Sequence, residues 1–236
     1  MAKSDKIYSV HKDYEESVNK WEFYIRSYNG GFDYSAGQYL HRYNLELDNE
    51  YAKRLGNTAL DNHCKNIVQI YSSFLFRVKP SRDFGNLDND PMLELFLRDA
   101  DLDGNSFNTV IAQAQNYASI YGHCFMILDK PNFTTQTMAQ ELDAEVRPYV
   151  SIVTPENVFD WNYERQVNGR YILNYMKIRE DVDSEGGTYF RLWYTDKIET
   201  VYVKSEHDDP RLIDTVPNRL GKVPAVILFN SKSHKR

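Results

Sequence analysis

The side chains best suited to chemistry in this sequence are acids. Asp99, Asp101, Asp103 and Gly104 follow the order of the first ligands and the turning glycine of a calcium-binding EF-hand loop, where alternating carboxylates surround a hard cation. That loop ends on a bidentate glutamate, and Val110 stands in its place. The stretch is therefore expected to be a solvated acidic turn that caps the next helix. His63-Cys64 and His123-Cys124 offer the nitrogen and sulfur ligands that zinc takes. Neighbours on a helix diverge by about 100° and neighbours on a strand point to opposite faces, so neither pair presents both ligands to one ion. Core packing is the reading for all four. Asp160, Glu164, Asp181, Asp183 and Glu185 could supply paired carboxylates for acid–base hydrolysis, which needs them at a defined separation in a cleft. Most fall in turn-like segments, where acids are solvated. The sequence holds no nucleophile elbow, no HExxH and no phosphate-cradling glycine loop. No catalytic residue, metal ligand or cofactor is assigned.

Periodicity defines the elements that carry these residues. Phe107, Val110, Ile111, Ala114, Ala118 and Tyr121 recur at three and four residues, which predicts a helix ended by Gly122. The run CFMILD after it predicts a strand buried on both faces. Earlier, Tyr14, Val18, Trp21, Ile25 and Tyr28 trace a helix closed by Asn29, Gly30 and Gly31. One long helix is expected over 48–76, with Tyr51, Leu55, Ala59, His63, Ile67, Ile70 and Phe74 on one face, and Pro80 forbids its continuation. Asp90 as N-cap and Pro91 at the first position predict a short helix over 91–102. The polar stretch 130–146 reads as an exposed excursion. From Arg147 the segments RPYVSIV, RYILNYMKIRE, TYFRLWYT, IETVYV and PAVILF read as strands, with a tight hairpin at Asn168-Gly169 and a looser turn at 183–187. The fold class is α+β, with a mainly helical part over 1–121 and a mainly β part over 122–236.

Composition narrows the function classes. The 236 residues are 42% apolar and 26% charged, ordinary for a globular protein, but 18 Tyr, 12 Phe and 3 Trp make the chain 14% aromatic. Tyrosine supplies wide contact area with a polar tip, which serves interfaces as well as cores. The net charge of −6 hides an asymmetry, because residues 217–236 hold five of the 28 Lys and Arg and no acid. The remaining body is too acidic to grip a nucleic-acid backbone, although it could line a duct through which DNA slides. Cys64 and Cys124 sit in apolar patterns and are expected to be buried free thiols in a reducing compartment. The N-terminus lacks a signal peptide's apolar core, and no apolar run reaches membrane-spanning length.

The order of segments resembles the N-terminal half of the portal proteins of tailed bacteriophages. The resemblance rests on the aromatic helix with Trp21, on Gly30, Gly31, Tyr39 and Leu40, on a helix with Tyr51 and Arg54, and on LFRVKP at 75–80. It continues through DLDGNSF at 101–107, YGHCFMILDKP at 121–131, RPYVSIVTPENVFDW at 147–161 and LGKVPAVILFN at 220–230. What it implies is a wing-like unit of a ring, typically of twelve copies, at one capsid vertex. DNA is packaged and released through such a ring, without sequence-specific binding. Capsid protein, terminase and head-completion or tail proteins are the implied partners, no membrane is involved, and assembly takes place in the host cytoplasm before the protein joins the virion. The family continues past the PAVILFN strand into stem and clip regions, and the resemblance leads us to expect that these are missing after residue 236. Trp21, Tyr39, Tyr51, Phe76 and Trp161 are the expected core or interface aromatics. A carbohydrate-active or metal-assisted hydrolase built on the acidic turns, and an adaptor using exposed tyrosines, are the alternatives.

Overall fold

The computed structural model describes residues 7–37, 39–58, 62–131, 137, 139–140, 144–184, 186–205 and 207–231. Helix α1 (Lys12–Asn29) opens where the His11 side chain accepts from the Asp13 N–H, and it stops at Gly30 with φ of 69°. The short α2 (Gly31–Ala36) follows, then α3 (Asp48–Asn57), α4 (His63–Leu75), α5 (Pro91–Arg98) and α6 (Phe107–Tyr121). Two antiparallel sheets complete the fold. The smaller has the order β2-β1-β8, from β1 (His123–Asp129), β2 (Tyr149–Val153) and β8 (Ala225–Phe229). The larger is a meander of β3 (Val158–Arg165), β4 (Tyr171–Val182), β5 (Thr188–Tyr194), β6 (Lys197–Val203) and β7 (Arg211–Pro217). The arrangement is α+β.

Side-chain alternation gives each sheet two covered faces. On β1, Cys124 points to α6 and packs with Ala114 and Ala118, whose small side chains let the helix approach closely. Phe125 and Ile127 point the other way and join Met176, Ile178 and Trp193 of the five-stranded sheet. The opposite face of that sheet, carrying Phe190, Leu192, Val201 and Val203, takes Tyr14 and Trp21 of α1. Lys177 is 1% exposed and anchors the N-terminal segment by donating to the carbonyl and hydroxyl oxygens of Ser9. Burial lowers the pKa of this amine.

Several expectations need correction. The long helix over 48–76 is two helices. Asn62 caps α4 by accepting from the Lys65 N–H, and its amide donates to the Tyr28 carbonyl, so a new helix starts at His63 after α3 has ended at Asn57. Ala59 lies outside the described residues. The helix from Pro91 has Asp90 as its cap but ends at Arg98 instead of residue 102. Ser106, and none of the acids, caps α6 by accepting from the Thr109 N–H. The hairpin after β3 uses Gly169 alone at positive φ, 79°, while Asn168 accepts from the Arg170 N–H through its side chain. β7 was not among the expected strands, because Arg211, Leu212, Ile213, Asp214 and Thr215 are all exposed and show no buried alternation. Cys64 is exposed, at the start of α4, and only Cys124 is buried.

Candidate interaction surface

Helix α4 carries apolar residues on two sides. Val68, Ser72 and Phe76 are half-buried along the side that packs on α1 and α6. Ile67, Ile70, Tyr71, Phe74 and Leu75, continued by Val78 just beyond the helix, recur at three and four residues and are 52% to 72% exposed. Scattered exposed apolar residues are ordinary, but a continuous stripe of six large ones marks a surface that is covered in use. Residues 63–79 hold no acid, so no carboxylate opposes burial of the stripe. Ile70 and Phe74 also line a shallow groove of about 600 Å³ with Asn66, Gln69, Ser73 and Arg77.

The segment before α4 presents further apolar side chains from a rigid base. The Arg54 guanidinium makes a two-toothed contact with Glu46, at 2.7 and 2.6 Å, and lies over the Tyr43 ring at 4.4 Å. Hydrogen bonding from Arg54 holds the Glu46 carboxyl below its ordinary pKa. The Tyr51 hydroxyl donates to the Leu40 carbonyl at 2.9 Å, which closes the loop onto α3. Leu45, 96% exposed, and Leu47 stand on that frame.

The five expected aromatics are dispersed. Trp21 is buried in the core, with Tyr14 at 5.7 Å and His123 at 5.8 Å between ring centroids. Tyr39 packs edge-on to Phe23 at 4.8 Å, Tyr51 holds the loop, Phe76 faces inward from the end of α4, and Trp161 stacks on His11 at 4.2 Å. The exposed stripe was legible in the sequence as part of one helical face, and that face was not assigned to the core or to a surface.

The acidic and metal-like residues do not converge. Asp99 accepts from the Gly104 N–H and from Arg147, and Asp101 accepts from the N–H groups of Asp103 and Asn105 and from the Asn105 amide. Partial burial opposes ionisation of Asp101, but these hydrogen bonds outweigh it and hold its carboxyl below the ordinary value. Asp183 is taken up by the Gly187 N–H and the Tyr202 hydroxyl. The side chain of Asp181 and the whole of Glu185 lie outside the described residues. Asp160 and Glu164 sit on β3, and neither lines the cleft between the sheets. Among the described residues no group of three or more His, Cys, Asp and Glu could hold a metal. His123 and Cys124 leave β1 on opposite faces, and Cys64 is on α4.

The two thiols are expected to differ sharply in reactivity. Burial pushes the Cys124 thiol up to about 11, and its sulfur lies 3.2 Å from the Ala114 carbonyl. Since the thiolate is the reactive form, a disulfide reagent at neutral pH is expected to modify Cys64 at once and Cys124 only on unfolding. Two fast thiols per native chain would contradict the packing of α6 on β1.

Among the described residues, no helix is long and apolar enough to cross a membrane. Comparison with individually curated proteins gives no match. The family model described as phage portal protein, SPP1 Gp6-like, matches residues 10–235, nearly the whole of this helix-then-sheet arrangement, and the chain belongs to that phage portal protein family.

Proposed function

We propose that the chain is a non-enzymatic subunit of a portal ring, typically of twelve copies, at the capsid vertex through which viral DNA is packaged and released. The observation that carries this reading is the exposed apolar stripe of α4, from Ile67 to Val78. A ring needs one surface on each subunit that is buried only by its neighbour, and obligate interfaces resemble a core cut in two. The helical and β parts work as one wing-like unit, supported by the packing of Tyr14 and Trp21 on the larger sheet. An acidic chain suits a conduit that must not retain DNA. The capsid protein, the terminase and head-completion or tail proteins are its partners, and it assembles in the host cytoplasm before residing in the virion.

Native mass spectrometry of the purified chain tests this. A ring-sized multiple of the 27.7 kDa subunit is expected. A strict monomer at high concentration, even with capsid protein present, would overturn it.

A further inference from the structure

The cleft between the two sheets has bonding capacity that the described residues do not use. It encloses about 1110 Å³, with β2 and the acidic turn on one wall and β4 and β5 on the other. β2 is an edge strand of its sheet. The Val150 N–H donates to the Ala100 carbonyl, away from β1, and the Leu128 N–H opposite it donates to the Pro224 carbonyl on the far side of β1. Antiparallel pairs alternate between bonded and non-bonded, so Val150–Leu128 and Ile152–Met126 are both of the non-bonded kind. The Ile152 N–H and C=O and the Val150 C=O therefore point outward along the lip of the cleft. Such groups template the addition of another strand.

Two further features bear on what would be added. Trp193 in the facing wall is 2% exposed, yet its indole N–H has no acceptor among the described residues, whereas buried donors are nearly always paired. Among the described residues the walls carry five carboxylates against two guanidiniums, Arg179 and Arg191. Arg191 is already engaged, bonding Asp129 at 3.0 Å and lying 2.9 Å from Glu180 without hydrogen-bond alignment. Glu156 accepts from the Tyr121 hydroxyl at 3.0 Å, a neutral donor that brings no positive charge to the wall. The described lining stays net negative, and Tyr117 and Tyr149 also line it, a residue type whose ring face attracts cations.

We propose that this cleft binds an extended, lysine- or arginine-bearing segment of a partner protein, which adds to the edge of β2 as a fourth strand. Backbone pairing with Val150 and Ile152 supplies affinity, and the acidic walls select for positive side chains. The inference stands apart from the α4 surface and does not depend on ring formation.

The test uses the whole chain and fluorescein-labelled ten-residue peptides read by anisotropy. A peptide of alternating lysine and valine is expected to bind, and its glutamate–valine counterpart is not. N-methylation of alternate backbone nitrogens should cost tenfold or more in one of the two possible sets, the one facing β2, and little in the other, since each lost hydrogen bond in a partly buried site is worth about 1 kcal/mol. Asp103→Asn removes a wall charge at an exposed residue and should weaken the lysine peptide roughly threefold without touching the fold. The proposal is overturned if the lysine peptide does not bind, if the glutamate peptide binds as well, or if both N-methylated sets bind like the parent.

Discussion

Phe74→Glu is expected to leave a folded monomer that no longer assembles. Phe74 is 69% exposed on the free side of α4, so the substitution disturbs little within the subunit, and surface changes of this kind stay within about 0.5 kcal/mol of the parent. At a seam between copies the same change removes an aromatic anchor and buries a carboxylate where residues 63–79 offer only scattered positive charge. Loss of a central anchor costs about 2 kcal/mol or more, roughly thirtyfold in the affinity of each contact. A ring subunit makes two such contacts, so the penalty compounds. Mass photometry of the variant should show subunit-sized particles with an unchanged melting temperature. Val167→Glu, at a fully exposed hairpin tip away from α4, serves as the control and should assemble normally. Equal assembly of the two variants would place the seam elsewhere.

Trp21→Ala is expected to have the largest effect on the subunit itself. The indole is 7% exposed and packs between Tyr14 on its own helix and His123 at the start of β1. Truncation loses its transfer free energy and leaves a cavity, together about 3–5 kcal/mol. Natural domains are stable by only about 5–15 kcal/mol, so this is a large share of the margin. Urea unfolding followed by circular dichroism should show a midpoint far below the parent's with a similar slope. Trp161, half-buried and stacked on His11, should lose clearly less when replaced by alanine. Equal losses at the two positions would mean that α1 does not tie the core together.

The sequence carried the α+β order well where local signals and burial agree. Asp90-Pro91, Gly122 and the stripe from Tyr14 to Tyr28 each mark a boundary or a face that the structure contains. It failed where partners distant in sequence decide. Asn62 breaks the expected long helix because it can both cap α4 and reach the Tyr28 carbonyl, 34 residues away. β7 exists through pairing with β6, so its own residues show no strand pattern of burial. The stripe on α4 shows a different limit. Periodicity identifies a face that water should not see, but it cannot distinguish a face covered within the subunit from one covered by another copy. Ile67, Ile70 and Phe74 were legible as apolar and helical, and only the fold shows that nothing in the described chain covers them. The acids around Asp101 posed the converse problem: their spacing mimics an ion site, while their hydrogen bonds go to the turn's own backbone and to Arg147.

Hydrogen–deuterium exchange over residues 63–78, compared between assembled wild-type protein and the Phe74→Glu monomer, tests the central claim most directly. If α4 is the seam between portal subunits, amides of this helix should exchange markedly more slowly in the assembly, while those at the exposed hairpin tip around Val167 should not change. Identical exchange of α4 in the two states would contradict the account, whatever the size of the assembled particle.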